Sequence, residues 1–137
     1  MNRPRVMLAN EFGAGRGHIM ALRQVALCLG DKFSFQSALC RREYENNLVE
    51  IGVSTFDGPG LIYRPRRRHG PKAVVTSTWG EFLGDLGFDR ENRIEAVVEW
   101  WLFILQSRKI SLLVADYAPM GLLAARCLGI PTISVGQ

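Results

Sequence analysis

A glycine-rich segment that ends in a histidine is the part of this chain best suited to chemistry. Gly13, Gly15 and Gly17 alternate with other residues and lead to His18, shortly after the apolar run of residues 6–9. Glycine permits a positive φ and the close approach of another group, so this spacing predicts a ligand-facing turn between a strand and a helix. A histidine at the helix start lies near the positive end of the helix dipole, which favours a neutral ring that can accept a proton.

Asp116 is the expected partner of this histidine. It follows the apolar run of residues 111–115, which predicts a buried parallel strand that ends at the aspartate. An aspartate that accepts a hydrogen bond from one ring nitrogen would fix the tautomer, and the other nitrogen could then deprotonate a hydroxyl. The alternative is that His18 and Asp116 only cap the loop and the helix in which they lie.

An alternating α/β architecture would bring the two residues together. The apolar periodicity predicts strands over 5–9, 32–39, 53–56, 111–115 and 132–135. It predicts helices over 18–29, about 44–51, 80–86, 90–108 and 119–128, with Asp89 as the N-cap of the long one. Strands alternating with helices predict a Rossmann-like, all-parallel sheet of order 3-2-1-4-5 with helices on both faces. In that order the ligand crevice opens beyond the ends of strands one and four, which are about 4.8 Å apart.

The composition predicts a single domain over residues 1–137. With 47% hydrophobic and 22% charged residues, the chain can form one core, and it lacks a signal peptide or an apolar run long enough to span a membrane. A cytoplasmic location is therefore expected. Cys28, Cys40 and Cys127 are widely spaced in apolar surroundings, so they are predicted to be reduced core thiols rather than disulfides or metal ligands.

The net charge of +4 is concentrated in a loop that contains Arg64, Arg66, Arg67, Arg68 and Lys72. Such a loop could make peripheral contact with an anionic membrane, or it could simply be solvated. No aromatic residues interleave the arginines, so a nucleic-acid partner is not expected.

Three segments together resemble the N-terminal domain of inverting, UDP-sugar-dependent glycosyltransferases of the GT-B fold, including the plant and macrolide-modifying enzymes. They are residues 13–18, residues 83–88, and the block from 112 to 132 that runs from a strand through an aspartate to a Gly-Ile-Pro-Thr turn. The resemblance implies that His18 is the general base for an acceptor hydroxyl and that Asp116 supports it. It implies a small-molecule or lipid acceptor, no cofactor and no metal. The residues expected to contact the substrate are Gly13, Gly15, Arg16, Gly17, Trp79, Tyr117 and Met120.

The resemblance stops before the donor site. In that family the nucleotide-sugar donor binds mainly to a C-terminal half, and this sequence ends at Gln137 before such a half begins. The donor is therefore expected to bind only with a C-terminal half or a partner chain, and the isolated 137 residues are expected to transfer no sugar. A fragment, a truncated product and one chain of a split enzyme all fit this expectation.

Two other functions fit parts of the sequence. In a dinucleotide-binding domain the glycine loop would hold a pyrophosphate, and Arg41 and Arg42 after strand two would bind the 2′-phosphate of NADP. In a non-catalytic subunit the basic loop and an exposed tryptophan would dock onto a membrane or a partner chain.

Overall fold

A computed structural model describes residues 2–13, 15–61, 78–88 and 90–136 of the protein. Within these residues, strands and helices alternate along the chain. The predicted basic loop and the predicted cap of the long helix lie outside the described residues: Arg64, Arg66, Arg67, Arg68, Lys72 and Asp89.

The strands and helices have well-defined bounds. The strands are β1 (Arg5–Asn10), β2 (Ser34–Leu39), β3 (Ser54–Asp57), β4 (Leu112–Asp116) and β5 (Thr132–Val135). The helices are α1 (Arg16–Leu29), α2 (Asn46–Val49), α3 (Trp79–Leu83), α4 (Glu91–Ser107) and α5 (Pro119–Cys127). A π-helical turn over Gly84–Phe88 follows α3.

The sheet has the predicted order. Its strands are all parallel and lie in the order β3-β2-β1-β4-β5, so the predicted Rossmann-like topology is confirmed. Because the strands are parallel, their carboxyl ends lie at one edge of the sheet. The chain leaves β1 and β4 side by side at this edge, where Asn10 is opposite Asp116.

Each face of the sheet is covered by helices and forms its own core. On one face α1 buries Ile19, Leu22 and Ala26, which recur at helical spacing and pack on β1. On the other face α4 and α5 pack together, and Trp101 of α4 is fully buried. Trp100, the preceding residue, points to a different side of α4 and packs against Phe56 of β3.

Helix α1 begins at Arg16, two residues earlier than predicted. Gly15 caps it with a φ of 113°, a conformation that favours glycine, so the helical conformation begins at the next residue. The histidine is therefore the third residue of the helix rather than the first. None of the helices in the described part of the chain has the length and apolar character needed to cross a membrane.

The prediction of core thiols is wrong for two of the three cysteines. Cys28 and Cys127 are exposed, while Cys40 at the end of β2 is partly buried, and all three are free thiols. Cys28 lies on the solvent side of α1, and Cys127 is the last residue of α5. The apolar residues next to them in the sequence face the core, whereas the two cysteines do not. Only the helix orientation reveals this exposure.

Candidate functional site

The candidate site lies at the carboxyl edge of the sheet, where β1 and β4 end. The glycine loop leaves β1 and leads to His18 in the first turn of α1, while Asp116 is the last residue of β4. The imidazole Nδ1 of His18 is 2.6 Å from the Oδ2 atom of Asp116, so the two side chains form a hydrogen-bonded dyad.

The two members of the dyad differ in exposure. The side chain of Asp116 is 3% exposed, whereas that of His18 is 26% exposed. Burial raises the pKa of Asp116, and the hydrogen bond from His18 and the charge of His18 act in the opposite direction. Because an ionised carboxylate only accepts hydrogen bonds, Nδ1 of His18 carries a proton and Nε2 is free to take one from a substrate.

Two glycines closely surround the dyad. Gly13 has a φ of 101°, and a Cβ atom there would collide with Nε2 of the His18 ring. Gly136 has a φ of 82°, and a Cβ atom there would collide with Oδ1 of Asp116. The glycine at position 13 thus leaves room for the histidine ring, and Gly136 after β5 leaves room for the carboxylate. The role of Gly136 was not predicted from the sequence.

Asn10 connects the glycine loop to Asp116. Its Nδ2 donates to the backbone carbonyls of Phe12 and Asp116, both at 2.9 Å, and its Oδ1 accepts from Sγ of Cys40 at 3.1 Å. Asn10 is only 3% exposed, so these bonds replace those that it would make with water. Sequence analysis missed this residue, although an amide at the end of an apolar strand is a signal that could have found it.

An aromatic cluster of Phe12, Trp79, Phe82 and Tyr117 lies beside the dyad. The rings of Trp79 and Phe82 are stacked with centroids 5.3 Å apart, and Phe12 meets Phe82 edge-on at 5.5 Å. The ring of Tyr117 packs edge-on against that of His18 at 5.6 Å. Tyr117 has a φ of 47°, which is uncommon for a tyrosine and directs the chain sharply out of β4.

Two cavities adjoin this region, and Phe12 lines both. One has a volume of about 310 Å³ and is lined by Glu11, Phe12, Gly13, Cys40, Arg41, Gly60 and Leu61. The other, of about 100 Å³, extends along the aromatic cluster and the start of α5. Gly13 lines the first cavity and Tyr117 lines the second, so both cavities lie beside residues that contact the His18 ring.

The other residues predicted to contact the substrate lie at several different places. Trp79 and Tyr117 lie in the aromatic cluster, whereas Gly15 and Gly17 are exposed with no atom near the position of a Cβ. The guanidinium of Arg16 points to Oδ1 of Asn47 in α2, 3.5 Å away.

Met120, also predicted to contact the substrate, is buried. Its side chain is 1% exposed and lies in the core between α4 and α5. Met120 is the second residue of α5, and the helix turns this side chain toward the sheet rather than toward the crevice.

The two arginines expected to bind the 2′-phosphate of NADP form ion pairs within the chain. Arg42 pairs with Glu45 at 2.6 Å and lies 3.6 Å from Asp57, and Arg41 pairs with Glu43 at 3.5 Å. The His18 ring packs directly against Gly13 of the glycine loop. Among the described residues no group of three or more acidic, histidine or cysteine side chains could hold a metal ion.

The glycine loop provides a direct stability test. We expect Gly13→Ala to lower the free energy of unfolding by about 1–3 kcal/mol, because alanine is strained at this φ and its Cβ displaces the His18 ring. Urea unfolding followed by circular dichroism measures the effect. Gly17→Ala is the matched control, since Gly17 lies within α1 in open space and alanine there should stabilise the helix by up to about 1 kcal/mol. Equal effects of the two variants would contradict this role of Gly13.

Comparison with models of known protein families gives no match, and neither does comparison with curated proteins. Comparison with solved structures does give matches. The chain superposes on the glycosyltransferase SsfS6 of a Streptomyces species with a TM-score of 0.64 and 18% identity, covering 96% of this chain and 39% of that one. It superposes on a UDP-glucosyltransferase of Polygonum tinctorium that glucosylates indoxyl with a TM-score of 0.60 and 16% identity, covering 97% and 29%.

A third similar structure is MurG of Acinetobacter baumannii, with a TM-score of 0.55 and 19% identity, covering 97% of this chain and 34% of that one. The chain thus spans 29% to 39% of the length of these three proteins. At sequence identities of 16% to 19%, the structural similarity shows the fold alone.

Proposed function

Because this chain has the Rossmann-like fold of one half of a GT-B glycosyltransferase, we propose that it is the acceptor-binding part of a nucleotide-sugar glycosyltransferase. The observation that carries the proposal is the 2.6 Å contact between His18 and Asp116 at the ends of two neighbouring strands. In this proposal His18 is the general base and Asp116 is its orienting partner.

The reaction follows from the positions of the two ring nitrogens. An acceptor hydroxyl beside Gly13 gives its proton to Nε2 of His18 while its oxygen forms a bond to the anomeric carbon of the donor sugar. The bond between that carbon and the nucleotide diphosphate breaks, and the diphosphate leaves with the electron pair. Asp116 stabilises the imidazolium that forms, because its carboxylate already accepts the Nδ1 proton.

The aromatic cluster indicates the kind of acceptor. Trp79 is 56% exposed although it is a large apolar side chain, and it stacks on Phe82 next to the dyad. Exposed aromatic surface beside a polar dyad favours an acceptor with an apolar, ring-shaped body and one hydroxyl directed at His18. A lipid acceptor would use the same surface with its apolar portion.

The donor belongs to a part of the enzyme other than these residues. The three similar structures are of glycosyltransferases of which this chain matches 29% to 39%. In our proposal residues 1–137 form one acceptor domain, and a C-terminal half or a partner chain binds the nucleotide sugar. The isolated chain is then expected to bind an acceptor without transferring sugar.

A fluorescent phenol tests the proposed base without a sugar donor. The probe is 4-methylumbelliferone, whose phenol and phenolate forms have different spectra. We expect the bound probe to ionise about one pKa unit below the free probe, because the dyad takes up the phenol proton. A pH titration of the fluorescence with saturating protein measures this shift.

His18→Ala is expected to retain probe binding and to lose the shift, while Lys32→Ala, a substitution of an exposed residue at the opposite edge of the sheet, retains both. An equal shift in His18→Ala would show that the histidine is not the base. Failure of the probe to bind the unmodified chain would count against the ring-shaped acceptor.

A further inference from the structure

Glu11 is a fully buried carboxylate that the proposed reaction does not use. It follows β1 directly, at the point where the chain turns into the glycine loop, and its exposure is 0%. Its Oε1 accepts hydrogen bonds from the backbone N–H groups of Met120 at 2.8 Å and Gly121 at 3.1 Å. Its Oε2 accepts from the indole Nε1 of Trp101 at 3.2 Å. Such a complete set of partners around a buried carboxylate requires an explanation.

Helix α5 obtains its N-terminal cap from Glu11. The residue at its own N-cap position is Ala118, which has no side chain that could accept a hydrogen bond. The first N–H groups of a helix lack partners within the helix, and a carboxylate beside them also interacts favourably with the helix dipole. The group that caps α5 is therefore the side chain of the residue directly after β1, 109 residues before Met120 in the chain.

The same glutamate fixes both ends of the short connection from the dyad to α5. Only residues 117–119 separate Asp116 from Met120. At the start of this connection the backbone N–H of Glu11 donates to the carbonyl of Tyr117 at 3.0 Å, and at its end the carboxylate holds α5. Tyr117 lies in the left-handed region with a φ of 47°, a conformation that persists where surrounding contacts enforce it.

Trp101 completes the arrangement from the core side. Its indole packs against α5 at Gly121, where a Cβ atom would lie 3.2 Å from the ring. The indole N–H at the same time binds the second carboxylate oxygen of Glu11. The start of α5 is thus held between a ring that limits its position and a carboxylate that binds its N–H groups.

We propose that Glu11 is a positioning residue that keeps the Asp116 carboxylate within hydrogen-bonding distance of Nδ1 of His18. It acts through the connection from Asp116 to α5, and the same contacts orient Tyr117, which packs against the histidine ring. The consequence for catalysis rests on the proposed function, but the positioning itself can be measured without any substrate.

The proton on Nδ1 of His18 reports directly on this geometry. The chain has two histidines, His18 and His69, so nitrogen NMR of histidine-labelled protein gives few signals, and His69→Gln assigns them. In the unmodified chain, at a pH above the raised pKa of Glu11, where its carboxylate is ionised, we expect a protected Nδ1–H signal from His18. In Glu11→Gln an amide NH2 group takes the place of one carboxylate oxygen and faces an N–H donor, with which it cannot form a hydrogen bond. Exchange of the Nδ1 proton of His18 with water should then become about tenfold faster.

A second substitution tests whether the contact between two donors, the glutamine NH2 and the indole N–H of Trp101, causes the faster exchange. Trp101→Phe removes the indole N–H while retaining an aromatic ring, so Glu11→Gln combined with Trp101→Phe should restore slow exchange. The amide oxygen then still accepts from Met120 and Gly121. Should Glu11→Gln alone fail to fold, Glu11→Asp replaces it, since its shorter side chain cannot reach both α5 and Trp101.

Leu48→Ala is the control for a general loss of stability. Leu48 is fully buried in α2, in the core on the other face of the sheet, so its truncation destabilises the fold without touching Glu11 or α5. We expect this variant to retain the protected proton below its unfolding temperature. Unchanged exchange in the Glu11 variants, or an equal acceleration in Leu48→Ala, would overturn the proposal. Faster exchange in Glu11→Gln together with normal turnover of His18→Ala would support the positioning and refute the base.

Discussion

Replacing His18 with alanine in an enzyme that contains both halves should lower kcat/KM for sugar transfer by about 10²- to 10⁴-fold. The acceptor hydroxyl then has to lose its proton to water, because alanine has no nitrogen in the place of Nε2. In the unmodified protein Nδ1 is bound to Asp116 at 2.6 Å and the side chain remains 26% exposed for the substrate. Initial rates with saturating donor and varied acceptor measure the effect.

Asp116→Asn should produce a loss of similar size while the fold is retained. The asparagine amide can donate to Nδ1, which favours the tautomer with its proton on Nε2 and leaves no free lone pair for the acceptor hydroxyl. Lys32→Ala is the control, since this exposed residue precedes β2 at the opposite edge of the sheet. Unchanged rates in both His18→Ala and Asp116→Asn would return the two residues to a capping role.

The free energy of unfolding should fall by up to about 3 kcal/mol as the pH rises from about 4.5 to about 7. Burial raises the pKa of Glu11 from 4.5 to about 7, and the hydrogen bonds from Gly121, Met120 and Trp101 offset only part of this effect. Between these pH values the folded chain binds a proton that the unfolded chain has released. Folding is therefore favoured at low pH, and this advantage is lost as the pH rises through the folded pKa.

Urea unfolding at a series of pH values measures this dependence. Glu11→Gln should remove most of the slope, because the amide does not titrate. Burial also raises the pKa of Asp116, which adds a contribution of the same sign that Asp116→Asn would remove. Glu43→Gln, which alters an exposed carboxylate paired with Arg41, should leave the slope unchanged. A slope that persists in both Glu11→Gln and Asp116→Asn would contradict these assignments.

Much of the fold and the two residues of the dyad could be predicted from the sequence. Apolar periodicity and turn residues are local signals, so they located the five strands that the described residues form and placed the glycine loop before His18 and Asp116 at the ends of neighbouring ones. The order of a parallel sheet then follows from general rules on crossovers, which do not depend on side-chain detail. The close approach of Gly13 to His18 also has a local origin, since only four residues lie between them.

Only the tertiary structure decided the surroundings of the dyad. The burial of Met120, the exposure of Cys28 and the contacts of Glu11 with α5 depend on how each helix is rotated against the sheet. That rotation results from packing between residues far apart in the chain, such as Trp101 against Gly121. The sequence by itself thus determined the topology and the pairing of His18 with Asp116, because these follow from periodicity and turns. The residues that hold the pair in place were decided by long-range packing, which no local pattern records.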